Sequence, residues 1–203
     1  MIRTLFVLSL IPVVVQSSVT AGRAATGQPT FTSSASLRLQ KSELPHGYRY
    51  VSYFVQDSVR AWDGNLSPVV AIDQKNGWME AVEEMALDPL KRDVMLSVQL
   101  FRTAQGARSD FSFFFTNDHP ETRYQPDATW LGASAIRGLG VVANLYHVSD
   151  GTSRCPRHLT AGVSFVYGNG IFSSSVCTRT VGDRAAKDLA WRLFSRARKV
   201  AGR

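Results

Sequence analysis

The chain is poor in the residues from which enzyme signatures are built. It has two cysteines and four histidines in 203 residues. The histidines, His46, His119, His147 and His158, are dispersed through turns and strand ends. There is no Gly-x-Ser-x-Gly elbow, His-Glu-x-x-His pair, phosphate-cradling glycine loop or dinucleotide fingerprint. Those absences remove the common hydrolase, metalloprotease and nucleotide-dependent classes. Zinc needs about four ligands, and two cysteines with His158 do not supply a recognisable set. Asp118-His119-Pro120-Glu121 crowds three ligand-type side chains together, but in a polar loop without helical or strand spacing. Asp73, Glu80, Glu83 and Glu84 offer carboxylates for acid–base work, yet nothing in the sequence fixes their separation. No catalytic residue, metal site or cofactor is expected.

Long apolar runs are also missing. The longest, Leu5 to Val15, stops well short of the roughly 18 residues that span a bilayer, and Pro12 interrupts it. Arg3 precedes it and the small-residue stretch Val19 to Ala24 follows it. A basic start, a short apolar run and an Ala-x-Ala-like site describe a secretory signal peptide. Residues 1–24 are read as that signal, cleaved near Ala21 or Ala24, and the protein as exported to a periplasmic or extracellular space. Residues 25–40 are small, polar and patternless and read as a flexible leader. Residues 41–203 then form one globular domain of ordinary size.

Export changes the meaning of the two cysteines. In an oxidising compartment Cys155 and Cys177 are most simply one disulfide. Between them, Tyr167-Gly168-Asn169-Gly170 is a hairpin signal flanked by the β-rich runs Leu159–Val166 and Ile171–Val176. A turn centred on Gly168-Asn169 places Cys177 opposite residues 159 or 160, so Pro156-Arg157 must bend back to bring Cys155 within reach.

Acidic residues are the scarcer charge. The formal net charge is +7, and removing Arg3 and Arg23 with the signal leaves +5. Much of the excess lies between Arg179 and Arg203. Either this is a solvated helix face, or it meets an anionic envelope polymer or membrane surface through Arg192, Arg196 and Lys199. No specific nucleic-acid binding is expected.

Tyr48–Val55 and Val94–Phe101 have strand composition. Ala61 to Gln74, with Gly64, Asn65 and Pro68, reads as a loop. Trp78, Ala81, Val82 and Met85 fall at helical spacing, yet a turn at Asp88–Asp93 before a strand argues for a hairpin, so helix and strand both stand there. From a Thr103 cap, Ala104, Ala107, Phe111 and Phe114 line one helical face. Asn117 to Thr129 is a surface loop, and Ala135–His147 is strand and turn. Asp183 to Val200 is the clearest helix, with Ala186, Leu189, Ala190, Leu193, Phe194, Ala197 and Val200 as its apolar stripe. This order implies an α+β fold: an antiparallel sheet with a central helix and a C-terminal amphipathic helix packed on it.

Three stretches in order carry a resemblance. They are Glu43-Leu44-Pro45-His46-Gly47-Tyr48, the passage Val98 to Ala107, and Phe165 to Gly170 running into the last helix. The layout resembles small exported bacterial α+β domains of lipoproteins and secreted proteins, akin to the PsbP-like arrangement. The resemblance implies an antiparallel sheet backed by helices and brings no catalytic residues. The lipid-attachment cysteine of the lipoprotein members is absent. The function expected is a non-enzymatic exported binding or envelope accessory domain. The alternative is an envelope hydrolase with an unassigned active site, which requires a pocket where a histidine meets a carboxylate or hydroxyl.

Overall fold

In a computed structural model, residues 27–62, 67–116, 128–150, 158–178 and 183–202 are described. Residues 1–24, expected to be a signal, residues 117–127 with His119, and Cys155 lie outside them. Among the described residues no helix is long and apolar enough to cross a membrane.

Seven strands form one antiparallel sheet: β1 (Arg49–Gln56), β2 (Trp78–Leu87), β3 (Asp93–Phe101), β4 (Ala128–Ala135), β5 (Val142–Asp150), β6 (His158–Tyr167) and β7 (Gly170–Thr178). Their order is β1-β2-β3-β7-β6-β5-β4. Among the described residues four α-helices accompany them: α1 (Val59–Trp62), α2 (Ser67–Asn76), α3 (Ala104–Thr116) and α4 (Arg184–Val200). The fold is α+β, as the element order implied.

The segment Trp78–Leu87 is strand. The β2–β3 turn decides it: Asp88 Oδ1 accepts from the Leu90 and Arg92 amides at 2.8 and 2.9 Å. That turn brings β2 back beside β3 in unbroken register from Glu80↔Leu100 to Leu87↔Asp93. Both faces of β2 are covered in part, so Ala81 and Val82 are buried side by side. Burial on both faces removes the two-residue alternation and leaves an accidental helical spacing.

The expected loop at residues 61–74 is corrected. Most of it is α2, which ends at Gly77, a left-handed residue (φ 80°) whose amide bonds the Gln74 carbonyl at 3.1 Å. Pro68 falls in its first turn, where a missing amide costs nothing. The buried face holds Val69, Val70 and Asp73. An aspartate in the core position disguises the amphipathic pattern.

One face of the sheet carries the main core. Val82, Val94, Leu96, Val98, Val163, Phe165 and Phe172 meet Ala186, Leu189, Ala190, Leu193 and Ala197 of α4. The Phe165 and Phe172 rings stack at 4.9 Å, and Phe194 closes on Phe165 edge-on at 5.8 Å. The stripe ends at Ala197, with Val200 exposed. The other face is covered partly by α2 and α3, where Trp78, Ala81, Phe101, Ala107, Phe111, Val166 and Ile171 form a smaller cluster. As expected, Thr103 caps α3, its Oγ1 accepting from the Gly106 amide at 2.9 Å.

The flexible leader is also corrected for residues 31–39. Phe31, Leu37 and Leu39 are buried in the main core. Side chains from three separate elements hold the backbone between them. Asn169 Oδ1 accepts from the Phe31 amide at 2.7 Å, and Asn169 Nδ2 donates to the Phe31 carbonyl at 3.0 Å. Glu80 accepts from the Ser34 amide, and Glu84 Oε2 from the Leu39 amide at 3.0 Å. Arg196 Nη2 donates to the Ser36 carbonyl at 2.9 Å. Few apolar residues and many backbone contacts make such a strap look like a linker in sequence.

A candidate binding cleft between helix α3 and the sheet

Helix α3 does not lie flat on its sheet face. A cavity of about 180 Å³ opens between its C-terminal half and strands β3, β5, β6 and β7. Phe111, Phe114 and Phe115 form the helix side. Tyr146, Val148 and Ile171 add apolar surface from the sheet, and Gln99, Ser164 and Ser173 add polar groups to the floor.

The aromatic wall is assembled by contacts that sequence spacing only partly announces. Phe111 and Phe115, one turn apart on α3, lie 4.6 Å centroid to centroid. Phe115 reaches the ring of Tyr146 at 5.8 Å. Tyr146 faces Gly162 across the β5–β6 ladder. A Cβ at Gly162 would stand 2.1 Å from Tyr146 Cζ, so only glycine lets the ring lie across the neighbouring strand. The mid-strand glycine was the available signal for this residue.

The floor is polar in an otherwise apolar place. Ser164 and Ser173 hydroxyls share a hydrogen bond at 2.7 Å. Gln99 Oε1 is buried and has no hydrogen-bond partner among the described residues. A buried amide oxygen left without a donor costs about 1–3 kcal/mol, which a ligand N–H or O–H, or a trapped water, would recover. Among the described residues the cleft lining brings no histidine and no carboxylate to the serine pair. The described lining supplies enclosure, aromatic contact and hydrogen bonding.

The other residues singled out in the sequence lie elsewhere. His147 follows Tyr146 on β5 and so points to the opposite face, its Nε2 buried without a partner among the described residues. The four carboxylates do not converge. Glu80 and Glu84 hold the N-terminal strap, and burial pushes the Glu84 carboxyl above its ordinary value against the pull of the Leu39 amide and Arg38. Arg38 Nε meets Glu84 at 3.2 Å, and its guanidinium lies over the Tyr53 ring. Asp73 is buried on α2, beside Asp110 of α3. Cys177 is buried on β7 and pairs with Thr160 across the ladder, matching the expected register.

Arg192 and Arg196 line a surface pocket with Lys199 and also reach back to main chain of the N-terminal segment. Arg192 Nη1 donates to the Glu43 carbonyl at 3.0 Å and its Nε to Asp188 at 3.0 Å. Arg196 donates to the Ser36 carbonyl through both Nε and Nη2. Lys199, one turn beyond, is exposed. Two of the three residues read as an anion-binding face thus hold the chain's own backbone.

The comparisons with known proteins bear on the fold. No protein-family model matches the chain, and no curated protein matches it. Among solved structures it is similar to the extracellular domain of PknH from Mycobacterium tuberculosis. The match has a TM-score of 0.54 at 14% identity and covers 85% of this chain and 98% of that one. At that identity the likeness is one of fold.

Proposed function

We propose that this protein is an exported, non-enzymatic binding domain whose ligand enters the cleft between α3 and the sheet. The observation that carries the reading is the cleft itself: three phenylalanines and a tyrosine enclosing a floor with an unpartnered buried amide oxygen. That combination suits a ligand with a flat or branched apolar body and at least one hydrogen-bond donor. Export is supported by the signal-like residues 1–24 and by the fold shared with an extracellular domain.

The test is binding of an apolar fluorescent probe, 1-anilinonaphthalene-8-sulfonate, to the folded protein. One saturable site is expected, and Ser173→Phe, which fills the cleft, is expected to abolish it while the protein still melts cooperatively. Equal binding by both proteins would overturn the reading.

A further inference from the structure

We propose that β1 is a dimerisation edge: the β1 strands of two copies of this chain pair antiparallel about a two-fold axis at Tyr53, joining two sheets into one. The proposal is independent of the cleft and of its ligand.

The composition of β1 suits the middle of a sheet, but its place is the end of one. The strand reads Arg-Tyr-Val-Ser-Tyr-Phe-Val-Gln. Strand β2 lies on one side of it, and among the described residues no strand lies on the other. Val51, Tyr53, Phe54 and Val55 are 49, 47, 39 and 42% exposed. Successive strand residues point to opposite faces, so Tyr53 and Phe54 leave apolar surface on both. Solvated edge strands are kept from pairing by lysine, proline or inward-pointing charge. β1 holds no lysine or proline, and its one charge, Arg49, stands at its start. One blunting device is present, a register shift at Val51. It lies towards one end, and the strand runs in unbroken register from Ser52↔Met85 to Gln56↔Ala81.

The occupant follows from charge. Arg49 opens the strand and Asp57 follows its last residue. Both are exposed, and among the described residues neither is in an ion pair. Within one copy they stand about 26 Å apart along the extended chain and do not meet. An antiparallel second copy centred on Tyr53 sets Arg49 opposite the partner's Asp57, and the two-fold axis repeats the pair at the other end. Between those ends Tyr53 meets its own counterpart, Ser52 faces Phe54 and Val55 faces Val51. Aromatic and β-branched pairs across a ladder are stabilising, and so are opposite charges. A parallel copy in register would instead set Arg49 on Arg49 and Asp57 on Asp57. The antiparallel contact uses the same patch on both copies, so it closes at two.

Sedimentation equilibrium of the full chain between about 1 and about 200 µM tests the pairing. A monomer–dimer equilibrium is expected. Val55→Lys places a lysine on the exposed edge and is expected to leave monomer across that range while the protein still melts cooperatively. Arg49→Glu and Asp57→Arg each set like charges opposite one another at both ends, and each should weaken the dimer about threefold to tenfold. The double variant restores both pairs in reverse and should return to within about twofold of the wild type. These three exposed-site variants serve if Val55→Lys folds poorly. Wild-type monomer throughout, or a dimer that Val55→Lys leaves intact, would overturn the proposal. A double variant no tighter than the singles would overturn the register and the self-pairing with it. Assemblies that keep growing with concentration would indicate an open contact, such as β1 on the opposite edge β4, and would overturn the closed dimer.

Discussion

A buried amide whose every hydrogen-bonding direction ends on main chain is hard to replace, and Asn169 is in that position. It is 1% exposed; its side chain bonds the Phe31 amide and carbonyl and donates to the Phe101 carbonyl at 2.6 Å, while its own carbonyl accepts from the Phe101 amide at 2.9 Å. One residue thus joins the β6–β7 turn to the strap and to the end of β3. Asn169→Ala leaves three buried backbone groups without partners and is expected to cost about 3 kcal/mol, lowering Tm by roughly 6–12 °C in a thermal melt. Asn169→Asp keeps the acceptor but loses both donors, so it should be no milder. Gly162 illustrates the opposite constraint, in which the residue matters for what it lacks. Gly162→Ala forces a methyl into Tyr146, and a cost of about 1–3 kcal/mol is expected together with weaker probe binding at the cleft. Unchanged probe affinity would mean that Tyr146 does not shape that wall.

The strap and α4 form one unit. Arg192 and Arg196 bind the carbonyls of Glu43 and Ser36, and Arg196 Nη1 lies 3.7 Å from the Glu43 carboxylate. Arg196→Ala should cost about 1 kcal/mol and expose the segment around residues 36–43 to limited proteolysis. A cleavage pattern identical to the wild type would show that the arginine is dispensable there. The elements legible in the sequence were α4, α3 with its threonine cap and β3, through one buried face, and the β6–β7 hairpin, announced by Gly168-Asn169 although β6 is buried on both faces. The elements that were not legible have a common cause. In β2, burial on both faces erased the alternation. In α2, Asp73 stood where an apolar residue was needed. In the strap, backbone hydrogen bonds to Asn169, Glu80, Glu84 and Arg196 replaced the apolar pattern. The cleft shares this history. Its helix wall was visible as an aromatic stripe that read as core, whereas Tyr146, Gln99, Ser164 and Ser173 converge only once β3 pairs with β7.

That pairing is also what makes the molecule one sheet. The hairpins β1-β2-β3 and the meander β4-β5-β6-β7 meet along β3 and β7, in register from Val94↔Val176 to Leu100↔Gly170. Helix α4 covers the seam on one face, and α3 with the cleft lies over it on the other. Gln99 comes from β3 and Ser173 from β7, so the floor of the cleft is the seam itself. Anything that tethers β7 therefore steadies both the core and the site. We infer that a Cys155–Cys177 bridge does this. Cys177 lies opposite Thr160, five residues after Cys155, so the bridge would tie the approach to β6 to the end of β7. Closing a loop of this length removes unfolded-state entropy equivalent to about 3 kcal/mol in the chain-entropy model. Thiol titration of the denatured, unreduced protein should find no reactive thiol, and two would refute the bridge. Reduction should lower Tm by roughly 6–12 °C. Because the tether acts beside the seam, it should also loosen the cleft, so probe affinity and Tm are expected to fall together on reduction.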